Sequence, residues 1–255
     1  MPEDINVDEV IQTIKISGVL DMHTVSKALA AASGVQLSLG NPGDMLIQLV
    51  NPMKNWQVLA EGSVDACSAE GCQWSFDNVD ISGLSLGLIA LITDQRDEPQ
   101  FELTAMGLMG QNTIKMLQDN PVDYQSPVPA WIVSSHSLAL VSKLTQTDAE
   151  LNRQNGYVFG MALSHGDKPA PIAGVQVDVL NPNIGDVYYP KADFSGLQEA
   201  TSVTGFFFAA AQKEQMIVSP WNASLSDESF QWSQIFAGTQ PGMAFVLLWK
   251  ADQPQ

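Results

Sequence analysis

The sequence predicts a mostly β protein made of two tandem β-sandwich domains joined by a Pro-rich linker and a helix. Short apolar runs, many of them alternating or β-branched, recur along the 255 residues between turns rich in Gly, Pro and Asn. The stretch GVQLSLGNP at 34–42 returns as GVQVDVLNP at 174–182, and three prolines gather at 120–129. The predicted division is 1–110 for the first domain, 111–154 for the linker and helix, and 155–255 for the second domain.

The first domain opens with an alternating, β-branched run and a short Ala-rich helix. The run VIQTIKISGVL at 10–20 predicts a strand, and TVSKALAAA at 24–32 predicts a helix that stops at Gly34. In the stretch 34–42, apolar residues alternate with polar or small ones, which predicts a half-buried strand closed by an Asn-Pro-Gly turn. Further strands of this domain are predicted at 45–50, 57–64, 73–76 and 84–93.

The two cysteines, Cys67 and Cys72, lie in the stretch CSAEGC between two of these strands. A metal site would need further Cys or His ligands, and a redox motif would need the spacing C-x-x-C, so neither pattern is matched. A tight hairpin through Gly71 brings the two Cα atoms within disulfide range, with two free thiols as the alternative. A disulfide indicates a compartment outside the cytoplasm.

The middle of the chain predicts an extended linker and then a helix. The run 101–109 is ambiguous, and the prolines of 120–129 favour an extended connection. From Ser134 to Leu151 apolar residues recur at loosely helical spacing, with a serine cap at the start and a stop at Asn155-Gly156. This helix is interpreted as a packing element or a spacer.

The second domain begins after Gly156 and repeats the order of the first. Each half contains a strand with an internal glycine, a G-V-Q stretch, an Asn-Pro turn and then a glycine before an apolar strand. Five of nine identities between the two stretches is close to chance, but this shared order favours a duplicated unit over one larger β domain. The strands predicted in the second half are 157–163, 174–182, 206–208, 216–218, 230–236 and 243–249.

The stretch 155–212 combines glycines, a proline and apolar strand residues in a spaced set: Gly160, Pro171, Gly174, Val175, Val177, Thr204, Gly205 and Phe207. With this set, residues 155–212 resemble the carboxypeptidase regulatory-like, transthyretin-like β-sandwich. The resemblance implies an immunoglobulin- or transthyretin-like sandwich that serves as a secreted or surface-anchored accessory module, with no catalytic residue to transfer. Val175 stands where alanine is commoner, and Val203-Thr204 replaces the usual Asp before the later glycine.

Composition and motifs exclude several chemistries. The net charge of −17 disfavours binding to nucleic acids and to anionic membranes, and is interpreted as a solubility feature, with cation binding as the alternative. The sequence contains no G-x-S-x-G elbow and no phosphate-binding glycine loop, so no cofactor is predicted. His136 has serines on both sides, but adjacent side chains on a helix diverge, so His136 is interpreted as a surface or interface residue. His23 and His165 are expected to be solvated.

Aromatic residues in the last forty positions are the candidate ligand contacts. Trp221, Trp232 and Trp249 could present rings for stacking on a sugar, whereas the alternative places Trp232 and Phe236 in the core. Acidic residues around the cysteine hairpin and after the strand 84–93 are interpreted as solvated loops, with a cation site as the alternative.

The predicted function is non-enzymatic. The acidic start MPEDINVDEV is unlike a signal peptide, and we expect a removed leader to have preceded it in an extracytoplasmic or cell-surface protein. Such a module would bind a protein or glycan partner, and the soluble part of an anchored lipoprotein is one form it could take. The alternatives are a glycan-active hydrolase that uses loop carboxylates and a carbohydrate-binding module. No segment reaches the roughly 18 apolar residues of a membrane span.

Overall fold

A long mixed sheet runs through the molecule and carries smaller sheets and helices on its faces. The computed structural model describes residues 12–68, 70–124, 127–166, 168–226 and 229–252. The helices are α1 (Thr24–Ser33), α2 (Gln111–Asp119), α3 (Ser135–Thr145) and α4 (Ala149–Asn155). The strands are β1 (Thr13–Met22), β2 (Met45–Asn51), β3 (Gln57–Ser63), β4 (Ala66–Ser68), β5 (Gly71–Asp80), β6 (Gly87–Asp94), β7 (Thr104–Gly110), β8 (Val128–Ile132), β9 (Tyr157–Leu163), β10 (Val175–Val179), β11 (Tyr189–Pro190), β12 (Leu197–Gln198), β13 (Phe206–Ala210), β14 (Ile217–Leu225), β15 (Ile235–Thr239) and β16 (Ala244–Lys250).

The long sheet, called here the central sheet, has seven strands in the order β13-β9-β16-β7-β6-β2-β3. Its last strand in sequence, β16, lies in the middle and pairs in parallel with β9 on one side and β7 on the other. The remaining neighbours in this sheet are antiparallel. The central sheet therefore joins strands from both halves of the chain.

A second sheet and two helices cover one face of the central sheet. The sheet β4-β5-β1-β8 lies over β2, β6 and β7 and encloses an aliphatic core with Trp74 at its centre. Helices α1 and α3 lie over β9, β13 and β16 through Val25, Leu29, Leu138 and Val141. The second sheet and the helices lie on the same face of the central sheet. Residues paired across a sheet share a face, and the strand register leads from the core residues of β2 and β6 to Ala244, which lies beneath the helices.

The opposite face carries the sheet β10-β14-β15, called here the outer sheet. Along β16, Ala244 and Val246 face the helices, whereas Phe245, Leu247 and Trp249 face the outer sheet. This alternation is the period-two pattern that the run MAFVLLW predicts for a strand, here buried on both faces. The second half of the molecule is therefore built as helices, central sheet and outer sheet.

The prediction of a mostly β fold is confirmed, and α1 forms where the sequence predicts it. Gly34 ends α1 in the left-handed region at φ 66°, and its N–H donates to the carbonyls of Ala30 and Ala31. Strands also form within the predicted runs 45–50, 57–64 and 157–163. The start of the run 10–20 lies partly outside the described residues.

The prediction that 34–42 forms a strand is wrong. Only the second copy of the repeat pairs in a ladder, as β10 against β14, whereas 35–40 is irregular. In the first copy, Ser38 instead accepts from the Arg96 guanidinium through its carbonyl oxygen (3.0 Å). The two copies nevertheless share their ends. Gly34 and Gly174 both have positive φ, and each Asn-Pro turn closes with a carbonyl of its Asn accepting an N–H three residues later.

The segment 111–154, predicted as a linker and one helix, contains a paired strand. β8 pairs in parallel with β1, so this segment completes the sheet of the first half. Pro129 is exposed on β8, an edge strand, where a residue without an N–H costs no ladder hydrogen bond. The predicted helix 134–151 is divided into α3 and α4 by a turn at Gln146, which has φ 56°.

Candidate functional site

The predicted disulfide is formed across a hairpin. Cys67 on β4 and Cys72 on β5 are directly opposed, with a Cα–Cα distance of 3.9 Å and an S–S bond. Gly71 turns the chain at φ 123°, and a Cβ at this position would lie 2.6 Å from the carbonyl oxygen of Leu20. Glycine is therefore required by both backbone conformation and space, as the hairpin interpretation of CSAEGC expects.

The three candidate tryptophans are in the core and do not form an exposed stacking surface. Trp221, Trp232 and Trp249 are 0%, 8% and 4% exposed, and all three face the space between the outer sheet and the central sheet. The Trp232 indole N–H donates to the carbonyl of Trp249 (3.2 Å). Their large apolar rings fill the wide gap between two sheets, so a row of sugar-binding rings is not available at these positions.

Phe236, which one of the two alternatives above places in the core, is 70% exposed. On β15, the neighbours Ile235 and Ala237 face inward, and strand alternation therefore turns Phe236 outward. The local run IFAGT has apolar residues in both phases, so its pattern does not decide which phase is buried. This exposed ring is the feature that sequence reasoning missed.

The histidines do not form a catalytic pair. His23 is fully buried rather than solvated, His136 is half-buried on α3, and His165 is exposed. Among the described residues, neither Ser135 nor Ser137, the serines on either side of His136, hydrogen-bonds to the His136 ring. Ser134, Ser137 and other buried serines instead bond with one another and cap the start of α3.

The acidic residues near the cysteine hairpin and after β6 serve local structure. Asp77 pairs with Lys15 (2.9 Å), and Asp94 accepts from Arg96 Nε (2.7 Å) and from the backbone N–H of Gln100 (2.8 Å). Burial alone would raise the pKa of Asp94, but these hydrogen bonds outweigh burial and lower it. In the part of the chain that the structure describes, no three His, Cys, Asp or Glu side chains converge on a single point that could hold a metal ion.

An acidic cleft of about 730 Å³ lies beside β10, an edge strand of the outer sheet. Three carboxylates, from Asp178, Asp186 and Glu199, line it together with the carboxamides of Gln176 and Gln212. Tyr189 lies at the inner end of the cleft. The Tyr189 hydroxyl accepts from the N–H of Val177 (2.7 Å) and donates to the carbonyl of the same residue (3.1 Å). This hydroxyl satisfies the edge of β10 at a point where another strand could otherwise add.

Exposed apolar side chains lie along the outer face of the outer sheet. The register places Val218 opposite Gly238 and Pro220 opposite Phe236 on one face, and Met216 precedes β14. Met216, Val218 and Phe236 are 54%, 56% and 70% exposed. These four side chains, of Met216, Val218, Pro220 and Phe236, are called the apolar strip below.

An apolar groove of about 400 Å³ lies between α1 and α3 on the opposite side of the molecule. Leu29 and Val141 form its buried floor, and Lys143 is exposed at its rim. Phe194 contributes a half-exposed wall from a loop in which its backbone has φ 56°, a conformation that bulky residues rarely adopt. The lining of this helix groove consists of Leu29, Leu140, Val141, Lys143, Leu144 and Phe194.

The sequence matches no protein-family model and no curated protein sequence. Solved structures with some similarity include pilins. The minor pilin GBS52 of Streptococcus agalactiae is 11% identical with a TM-score of 0.28, covering 95% of this chain and 98% of its own. The shaft pilin SpaA of Lactobacillus rhamnosus GG is 7% identical with a TM-score of 0.25, covering 96% and 99%. A streptococcal ancillary pilin is 7% identical with a TM-score of 0.24, covering 93% and 68%.

These similarities are too low to indicate a function for this chain. Among the described residues, no helix combines the length and apolar character needed to cross a bilayer.

Proposed function

We propose that this protein is a non-enzymatic, extracytoplasmic structural module that binds a protein partner through the apolar strip. The exposed Phe236 and its neighbours on the outer sheet carry this proposal. A contiguous group of exposed apolar side chains is costly in water and is typical of a surface that is covered in use. Aromatic residues in such a group are the side chains that most often dominate binding energy.

The disulfide supports the compartment assigned in this proposal. Cys67 is exposed on β4 at the edge of its sheet, and it is bonded to the buried Cys72. A bond of this kind persists in oxidising compartments and is rare in the cytosol. An excess of acidic over basic residues fits a soluble protein at the cell surface. Anchoring as a lipoprotein is part of the same proposal.

Position-specific photo-crosslinking tests the proposal. A photoreactive amino acid replaces Phe236 in the protein as its own cells produce it, and intact cells are irradiated. We expect a discrete crosslinked protein species at the cell surface from position 236. Position 203 provides the matched control, because Val203 is an apolar residue that is 72% exposed outside the outer sheet. Equal crosslinking from both positions, or none from position 236, would contradict the proposal.

A family relationship for 155–212 is also proposed. Among the residues that carry the transthyretin-like resemblance, Gly160 is paired with Phe207, and a Cβ at Gly160 would lie 2.0 Å from the Phe207 ring. Gly174 and Gly205 both have positive φ, which explains glycine at these two positions. A carboxypeptidase regulatory-like ancestry would account for this set of residues.

The acidic cleft favours a second candidate function, the binding or hydrolysis of a glycan. Carboxylates and carboxamides are side chains that hydrogen-bond sugar hydroxyls, and paired carboxylates perform glycoside hydrolysis. Asp186→Asn and Glu199→Gln would each abolish such an activity while leaving the fold intact, because both side chains are exposed. A panel of polysaccharides assayed for binding and for reducing-end release tests this candidate, and inactivity of the wild-type protein on all of them rules it out for that panel.

A further inference from the structure

We infer that the apolar strip of one copy of this chain binds the helix groove of a second copy, so that the protein self-associates head to tail. This inference rests on the proposed function, because it names the partner of the same strip. It is argued from the shape, position and charge of the two surfaces.

The strip presents a single projecting ring with apolar flanks. Phe236 is 70% exposed, and its cross-strand neighbour Pro220 and the nearby Val218 provide a rigid apolar base on a hydrogen-bonded sheet. A ring fixed on a regular strand loses little conformational freedom on binding, so most of the apolar contact it makes contributes to affinity. Such a ring needs an apolar pocket as its complement.

The helix groove is an apolar pocket of suitable size. Its volume of about 400 Å³ falls in the range of roughly 300–1,000 Å³ that is usual for ligand pockets, and is enough for an aromatic side chain and its flanks. The floor is provided by Leu29 and Val141, which are 4% and 1% exposed, so an entering ring would meet fixed aliphatic groups. Phe194 is held in the left-handed region at the wall, a strained conformation of the kind that marks functional loops.

The two surfaces face opposite directions. The groove lies on helices that cover one face of the central sheet, whereas the strip lies on the far side of the outer sheet that covers the other face. One molecule therefore cannot satisfy its own groove, and two molecules related by a twofold axis cannot satisfy both pairs of surfaces with one contact. A contact between different patches is heterologous, and it extends into a chain when its rotation does not close a ring.

The local charges at the two surfaces are complementary. Lys143 lies at the groove rim and forms no ion pair with another described residue. Asp178 is exposed on the outer face of the outer sheet, opposite Asn222 and on the same side as Phe236. The overall charge of −17 opposes association of like copies, so self-association should strengthen as salt screens the repulsion.

Sedimentation velocity of the purified full-length chain tests the inference. We expect the weight-average mass of the wild-type protein to rise with concentration past that of a dimer, and to rise further with added salt. Phe236→Asp and Leu140→Asp place a charge on the strip and on the groove respectively, and each should weaken association by on the order of tenfold or more. Val203→Asp alters an exposed apolar residue outside both surfaces and should leave association unchanged.

A mixing experiment decides between head-to-tail and other contacts. Phe236→Asp retains an intact groove and Leu140→Asp retains an intact strip. An equal mixture should therefore form dimers and no oligomer larger than a dimer. Circular dichroism and thermal unfolding establish that each variant is folded before it is mixed. Failure of the mixture to form dimers, when each variant alone is folded and monomeric, would overturn the head-to-tail contact.

The outcome is separable from that of the proposed function. A wild-type protein that stays monomeric at all concentrations and salt levels overturns the self-association, whereas a crosslink from position 236 to a different surface protein would still support the proposed function. Absence of both results contradicts both proposals. A crosslinked species that contains two copies of this chain supports both.

Discussion

His23 caps a helix with one ring nitrogen and leaves the other ring nitrogen buried without a hydrogen bond among the described residues. Its Nδ1 accepts from the N–H of Val25 (3.2 Å) and caps α1, while its Nε2 is buried without a hydrogen-bond partner among the described residues. The ring packs edge-on against Trp131 and Phe159, with centroid distances of 5.3 and 5.5 Å. A helix-start histidine usually lies in water, and the sequence could not show that aromatic residues from β8 and β9 would enclose this one.

The stability of the protein should therefore fall in mild acid through His23. Burial lowers the pKa of His23 to about 3, whereas an unfolded histidine titrates near 6.5. Between these values the unfolded state binds more protons, so the free energy of unfolding decreases as pH falls, by up to about 1.4 kcal/mol per pH unit from this group. Urea unfolding at a series of pH values measures the slope.

Two variants isolate the contribution of His23 to that slope. His23→Asn keeps a side chain that can cap the helix but does not titrate, and it should lose this part of the slope between pH 6 and pH 4. His165→Asn removes an exposed histidine and should leave the slope at the wild-type value. Equal slopes for the wild type and His23→Asn would show that His23 is not kept neutral by burial.

Among the elements, α4 was the least visible in the sequence. The helical spacing from Ser134 to Leu151 predicts one helix that is a packing element or a spacer, but the turn at Gln146 redirects the chain and α4 forms as a separate helix. Arg153 on α4 donates through Nε and an Nη atom to both carboxylate oxygens of Glu102 (2.8 and 2.9 Å), just before β7. The Arg153 carbonyl also accepts from the N–H of Gly242, just before β16 (3.1 Å).

The repeated nine-residue stretch forms a strand in only one of its two copies. Both copies have the alternation, the initial glycine and the Asn-Pro turn, yet only 175–179 finds a partner strand. Local pattern therefore predicts the turn geometry at both ends of each copy, since that geometry depends on neighbouring residues alone. Strand formation depends on a partner supplied by distant sequence, which a local pattern does not contain.

Breaking the Arg153–Glu102 pair should be strongly destabilising. Glu102 is 6% exposed, so Arg153→Met leaves a buried carboxylate without its counter-charge, and we expect a loss of about 3 kcal/mol in the free energy of unfolding. Glu102→Gln combined with Arg153→Met removes the charge as well and should recover part of that loss. Lys15→Met breaks the exposed pair with Asp77 and should change stability little. Urea titrations of the four proteins test this, and equal effects of Arg153→Met and Lys15→Met would contradict it.

The arrangement of the whole molecule depends on pairings that no local pattern predicts. The run MAFVLLW predicts a strand, and β16 forms there, but its parallel partners lie at 104–106 and 157–163. Parallel pairing over such separations leaves no short-range turn signal, unlike the hairpin at Cys67 and Cys72. The division into two domains stays a prediction, and the position of β16 between the halves makes it testable.

Destabilising β16 should affect both halves of the chain together. Val246 is 4% exposed and pairs with Met106 on one side and Phe159 on the other. Val246→Asp buries an unpaired charge at this junction and should lower the free energy of unfolding by about 3 kcal/mol or more. If the central sheet unfolds as one cooperative unit, native-state hydrogen exchange will show the same loss of protection at amides of β2 and of β13.

The matched control for this experiment is Val203→Asp, which adds the same charge at an exposed position and should change exchange at neither strand. Independent domains would give a different pattern. Protection would fall at β13, which shares the core of the second half with β16, and would stay at the wild-type level at β2, whose core residues pack against the sheet β4-β5-β1-β8. Loss of protection confined to β13 would therefore favour two separately folding units, and equal loss at both strands would establish a single one built around β16.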